Sequence, residues 1–194
     1  MSQGMNVYLL DESDVRIFGS RDEELLKEVL EALADEFEEL DEDFEVDEED
    51  LITHADALRE IFAGEISREE DCGPIYGSAF ELYCASLGET LNNRCFCPCH
   101  AKWFDILDKH LKSFGVGVRF HRLLFEEFPI PVETDASPWG GIWKYDEAVA
   151  AKDPLQRLIQ DVEDREILEA LQDTHTWLEK TSQSPGSVIV GFFS

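Results

Sequence analysis

Positive charge is what this sequence has least of: 16 Lys and Arg stand against 44 Asp and Glu in 194 residues, a formal net charge of −28. A field of that sign repels phosphate backbones and anionic membrane surfaces, so nucleic acid and membrane are excluded as expected partners, while basic protein surfaces and cations are attracted. Long hydrophobic runs are missing too, and no stretch approaches the roughly 20 apolar residues of a membrane span. Met1 to Leu10 holds no basic residue and only the short apolar run Val7 to Leu10, which does not meet the pattern of a secretory signal, so the cytoplasm is the expected compartment. No internal repeat and no linker composition is present, and with this length one domain over residues 1–194 is expected. No catalytic or cofactor motif stands out, so the chain reads as a non-enzymatic protein with no expected cofactor.

Aromatic residues are not scarce. Thirteen Phe and four Trp spread along the chain supply enough burial to offset ordering entropy. The five Cys are an odd number in a chain without a secretion signal, which reads as reduced thiols or metal ligands rather than a disulfide framework.

The acidity is lopsided. Residues 1–71 carry 26 acids and 5 bases, a balance of −21, whereas residues 72–194 carry 18 acids and 11 bases, a balance of −7. Halophilic adaptation would spread the acid evenly, so the split argues for a localised face. Its centre is Asp35 to Asp50, where twelve of sixteen residues are acidic and the interruptions are Phe37, Leu40, Phe44 and Val46. Ser20 and Glu23 have capping-box spacing, and Leu26, Val29, Leu33, Phe37, Leu40 and Phe44 recur every three or four residues. One long amphipathic helix is therefore expected from about Arg21 into the tract. Its outer face would carry Glu31, Asp35, Glu38, Glu39, Glu42 and Asp43, the residues expected to meet a basic protein partner in the manner of an immunity protein or inhibitor. Asp41-x-Asp43-x-Glu45 begins like a calcium loop, but Val46 stands where the sharp turn needs Gly and Ile52 where the bidentate Glu belongs, which rejects an EF-hand.

Further helices are expected over Leu51 to Phe62 before Gly64, after Gly73-Pro74 through Ile75, Ala79, Phe80, Tyr83 and Leu87, and from Trp103 to Phe114. In the last of these the stripe is Trp103, Ile106, Leu107, His110, Leu111 and Phe114, with His110 a packed core residue and Gly115 at the cap. Two short helices are expected at Tyr145 to Ala151 and Leu155 to Gln160, and a longer one bears Ile167, Leu171 and Leu178. Met5 to Leu10 reads as a strand, Val116, Val118 and Phe120 alternate as a second, and Val188 to Phe193 reads as a buried third. Pro129 to Trp143 is expected as a loop lying on the core. The fold class is α+β: a mainly helical domain with a small sheet that includes the N- and C-terminal strands.

Cys95-Phe96-Cys97-Pro98-Cys99-His100 is the densest set of potential ligands. In an extended segment Cys95, Cys97 and Cys99 point to one face and can offer three thiolates to zinc, with Cys72, Cys84 or His110 as the fourth ligand; a redox thiol pair and unligated cysteines in a loop are the other readings of the same cluster. A zinc-stabilised domain or small enzyme using this cluster is the alternative to the acidic-face reading. Arg119, His121 and Arg122 are the concentrated basic group of the second half, open to an anion or to the protein's own carboxylates. Thr53-His54-Ala55-Asp56 sets His and Asp two apart on a helix, where they do not face each other, so it makes no catalytic dyad.

Val7-Tyr8-Leu9-Leu10, the run Gly19-Ser20-Arg21-Asp22-Glu23-Glu24-Leu25-Leu26, Gly141-Ile142-Trp143 and Val190-Gly191-Phe192-Phe193 resemble landmarks of a family of uncharacterised bacterial proteins of similar length. The resemblance spans most of the chain and implies a single intracellular domain. It carries no assigned catalytic residues.

Overall fold

The computed structural model describes residues 4–44, 51–67, 69–126, 128–132 and 138–194. At its centre is an antiparallel four-stranded sheet whose spatial order is β2-β1-β4-β3, with β1 Met5–Asp11, β2 Glu89–Thr90, β3 Trp139–Trp143 and β4 Ser187–Phe193. The chain's two end strands pair along their whole length, from Met5 opposite Phe193 to Asp11 opposite Ser187. Every residue of β4 is buried, as an apolar run bounded by Pro185-Gly186 demands, because β4 is central and covered on both sides.

Side chains alternate across the sheet and divide the core in two. Met5, Val7, Ile189, Phe193 and Trp143 point into one layer, built with α6 (Ala101–Ser113), α7 (Phe120–Phe125), α8 (Tyr145–Asp161) and α9 (Arg165–Gln183). Tyr8, Leu10, Val188, Val190 and Phe192 point into the other, built with α1 (Glu12–Val15), α2 (Glu23–Ala32), α3 (Ala34–Asp43), α4 (His54–Ala63) and α5 (Glu69–Leu87). The acidic half of the sequence is thus one outer layer and the less charged half the other. The expected α+β class and the pairing of the terminal strands are what the structure has.

Several local expectations are corrected. The long N-terminal helix is interrupted at Leu33 (φ −106°, ψ 16°), giving α2 and α3. Its cap is Asp22, which accepts from Leu25 N at 3.0 Å, and Ser20 Oγ accepts from Asp22 N instead of forming the Ser20–Glu23 box. Val116, Val118 and Phe120 are buried as their alternation suggests, yet Val116 and Val118 are irregular and Phe120 opens α7, whose first amides donate to Asp108 on α6 (Phe120 N to Oδ1 2.7 Å, His121 N to Oδ2 3.0 Å). Period two measured burial there, not strand pairing. The additional strands are instead the short β2 and β3, the latter inside the segment expected as a loop.

Pro74 and Pro154 sit inside helices rather than at their edges. In α8 the face Ala148, Ala151, Leu155 and Leu158 is wholly buried, and that packing outweighs the amide hydrogen bond Pro154 cannot make. The buried face of α6 is Phe104, Leu107 and Leu111, one residue round from the expected stripe, so Ile106 and Phe114 are exposed and His110 is only half-buried. Gly115 does take the left-handed cap conformation (φ 68°).

Candidate functional site

α2 and α3 each bury one stripe and expose the rest. Val29, Leu33 and Phe37 are buried, with Leu25, Leu26, Leu30 and Phe44 packed beside them against the layer that holds Leu58, Ile61 and Phe62 of α4. Glu31, Asp35, Glu38, Glu39, Glu42 and Asp43 are all exposed, as are Glu23, Glu24, Glu28 and Glu36. Across the two helices the only base is Lys27, whose ammonium lies 3.6 Å from Glu31 at the surface. All six residues expected to carry partner binding are thus exposed, Glu31 on α2 and the other five on α3. Glu45 to Asp50, the rest of the acid tract, and with it Glu45 and Val46 of the calcium-like motif, lie outside the described residues.

One carboxylate of the tract turns inward. Asp41 Oδ1 accepts from His54 Nδ1 at 2.6 Å and from His54 N at 2.8 Å, and His54 is completely buried at the first turn of α4 beneath Phe44, ring centres 5.0 Å apart. A carboxylate only accepts, so the neutral imidazole carries its proton on Nδ1. Nε2 is buried and finds no hydrogen-bond partner among the described residues. Burial pushes the imidazole's proton affinity down, and the Asp41 hydrogen bond and charge pull the other way. The His–Asp contact the sequence denied between His54 and Asp56 is thus made with Asp41, thirteen residues earlier. No spacing rule for one helix could have found it, because it joins two.

Beside this tie, the last turn of α3 and the flank of α5 enclose a groove of about 330 Å³. α5 contributes Ser78, Glu81, Leu82 and Ala85, a helical i, i+3, i+4, i+7 set, α3 contributes Leu40 and its C-cap Phe44, Tyr8 comes from β1, and Pro138 and Ser194 complete the lining. Glu81 Oε1 accepts from Asn6 Nδ2 at 2.8 Å. Burial raises the carboxyl's pKa, opposed by the Asn6 hydrogen bond. The Tyr8 hydroxyl is likewise pushed up, first by burial and then by Glu81. Sequence reading missed this groove because Glu81 lies beside, not within, the apolar stripe of its helix.

The cysteine cluster is not extended. Cys95 belongs to a 3₁₀ turn (Arg94–Phe96) that drives Phe96 into the core between Phe104, Phe120 and Trp177. Cys95 turns toward Asp173 of α9, and Cys97 Sγ lies against Gly4. Burial, followed by the Asp173 hydrogen bond, pushes the Cys95 thiol up to about 11; burial, followed by Cys97, does the same for Cys99. Cys72 and Cys84 are buried in the layer on the opposite side of the sheet, and His110 is in the last turn of α6, so neither stands next to the three. Among the described residues no group of three or more His, Cys, Asp or Glu is arranged to hold a metal ion.

The basic group of the second half is used internally. Arg119 donates to the carbonyls of Val116 and Val118, the latter at 2.6 Å, Arg122 pairs with Glu147, and His121 lies 3.3 Å from Glu126. Trp143 is fully buried, and its indole donates to Arg119 O at 2.9 Å. Gly141 allows α7 to end against β3, since a Cβ there would meet the carbonyls of Arg122, Glu126 and Leu123. Among the described residues no helix is long and apolar enough to cross a membrane.

Fold and surface together define an α+β protein with an antiparallel sheet between two helical layers, one of which presents a carboxylate-covered helix pair. The chain belongs to the family described as Domain of unknown function (DUF7691), whose model matches residues 1–194. No curated protein and no solved structure matches it.

Proposed function

We propose that this protein is a non-enzymatic interaction module that docks a basic protein partner on the α2–α3 face, in the manner of an inhibitor or immunity protein, and acts in the cytoplasm. The observation that carries this reading is the concentration of exposed carboxylates on two consecutive helices with Lys27 as the one base among them. Those helices are anchored through Val29, Leu33 and Phe37 and by the Asp41–His54 tie, so the charge is held on a fixed surface. A fixed field raises encounter rates with an opposite charge by roughly 10- to 1,000-fold at low salt, while carboxylates in water add little affinity of their own. Affinity then has to come from groups at the edge of the face.

The experiment replaces Glu38, Glu39 and Glu42 by Gln and Asp43 by Asn and measures association with a cationic partner obtained by co-purification. Association should slow by about tenfold at low salt, and the difference should shrink as salt screens it over a Debye length of about 8 Å. Equal association rates for the variant and the parent at low salt remove the proposal.

A further inference from the structure

The groove between α3 and α5 gives the acidic face an anchor point. We propose that it receives an arginine side chain of the basic partner, whose guanidinium pairs with Glu81 while its stem lies between Tyr8, Leu40, Phe44 and Leu82. This rests on the reading above that the partner is basic, and it adds which residue type the partner inserts and where.

Among the described residues Glu81 is a carboxylate without a counter-charge. Its one protein hydrogen bond among the described residues comes from the neutral Asn6 amide, and no Lys, Arg or His pairs with it there. Burial makes its charged form costly, which is also why its proton affinity is raised. A guanidinium reaching it removes that cost and adds charge-assisted hydrogen bonds.

The walls select arginine over lysine. They are mostly aromatic and aliphatic, with Tyr8 and Phe44 presenting aromatic surface, and besides Glu81 and the Tyr8 hydroxyl the polar lining residues are Ser78 and Ser194. A guanidinium is planar, weakly hydrated and stacks on such faces, whereas an ammonium is a strongly hydrated point charge that loses more on entering them. The volume, about 330 Å³, suits one long side chain with its peptide flank.

The surroundings favour a cation as well. Leu40 belongs to the acidic helix and Phe44 caps its C-terminal end, so the groove opens at the edge of the steering face. No described lining residue is basic.

The test uses the full chain and two short lysine-rich peptides of equal charge, one of which carries a single central arginine in place of lysine, with a third carrying citrulline there. Affinities are measured by calorimetry at about 0.15 M salt and association rates by stopped flow at low salt. The arginine peptide should bind about tenfold tighter than the lysine peptide and tighter still than the citrulline one. Glu81→Gln, which keeps the shape and the Asn6 partner, should abolish the arginine preference while leaving association rates unchanged. Ala85→Phe, which fills the groove without touching the carboxylate, should abolish it too.

Equal binding of arginine and lysine peptides by the parent protein overturns the proposal, as does an arginine preference that survives in both variants. The acidic-face variant separates the two readings. Slower association with the preference retained upholds both. Unchanged association with the preference retained sinks the steering role and leaves the groove standing, and slower association by a protein that never preferred arginine sinks the groove alone.

Discussion

Asp41→Ala tests the joint that holds the acidic surface to the rest of the molecule. The substitution deletes one oxygen that serves two donors, the Nδ1–H and the backbone N–H of His54, and His54 is completely buried. A buried donor left without an acceptor costs about 1–3 kcal/mol. Asp41 is itself 23 % exposed, so water can reach part of the vacated space and hold each cost in the lower half of that range, at about 1.5 kcal/mol, for a total of about 3 kcal/mol. In a chain of this size that lowers Tm by roughly 6–12 °C. The assay is urea and thermal unfolding followed by circular dichroism. Asp41→Asn keeps an acceptor oxygen and should lose only about 1 kcal/mol. Glu42→Gln and Asp43→Asn, at exposed neighbours on the same turn, should stay within about 0.5 kcal/mol of the parent. Should Asp41→Ala fall within that same margin, the tie contributes nothing and the account of how α3 is fixed is wrong.

Acid should loosen the same joint: burial lowers the folded-state pKa of His54 from its ordinary 6.5, so the unfolded chain binds the proton first. Stability is therefore full above pH 6.5 and declines as pH falls below it, and His54→Gln should flatten that slope in unfolding curves taken between about pH 5 and 7. Salt should stabilise: Glu24 and Glu28 on α2, and Asp35 and Glu39, Glu38 and Glu42, and Glu39 and Asp43 on α3, are like charges four apart, each pair costing about 0.2–0.5 kcal/mol, so raising NaCl should recover about 1–2 kcal/mol in urea melts, and no gain would mean the face is not repulsive. Gly141→Ala should destabilise by about 1–3 kcal/mol or more, because the new methyl meets the carbonyls at the end of α7, with Leu123 O at 2.8 Å; a neutral effect on Tm would show that α7 can shift freely. Alkylation followed by mass spectrometry should modify exposed Cys97 first, with Cys95 and Cys99 slow at neutral pH because their thiols titrate at about 11, and with buried Cys72 and Cys84 protected until unfolding; equal labelling of all five would contradict the packing.

What was legible in the sequence were features set by nearest neighbours on one element. The stripe Val29, Leu33 and Phe37 with acids between them fixes both the buried edge and the exposed carboxylates, since a 3.6-residue period leaves no other face for Glu31, Asp35, Glu38, Glu39, Glu42 and Asp43. Val188 to Phe193, apolar at consecutive positions, had to be a strand covered twice, and pairing it with Met5 to Leu10 followed from economy. The failures occur where tertiary contacts override local signals. Pro154 looked like a break until the alanine face of α8 is seen packed, and Val116 to Phe120 alternates without a partner strand because Asp108 of α6 offers its amides a helix cap instead.

Charge and its placement on a helix face were thus decided by the chain itself, because composition and helical period are local properties. The Asp41–His54 tie, the Glu81 groove and the separation of the five cysteines by the sheet were decided only in three dimensions. Each depends on which elements meet, α3 with α4, α3 with α5, or one layer against the other, and side chains tens of residues apart acquire a relation only once the core has packed.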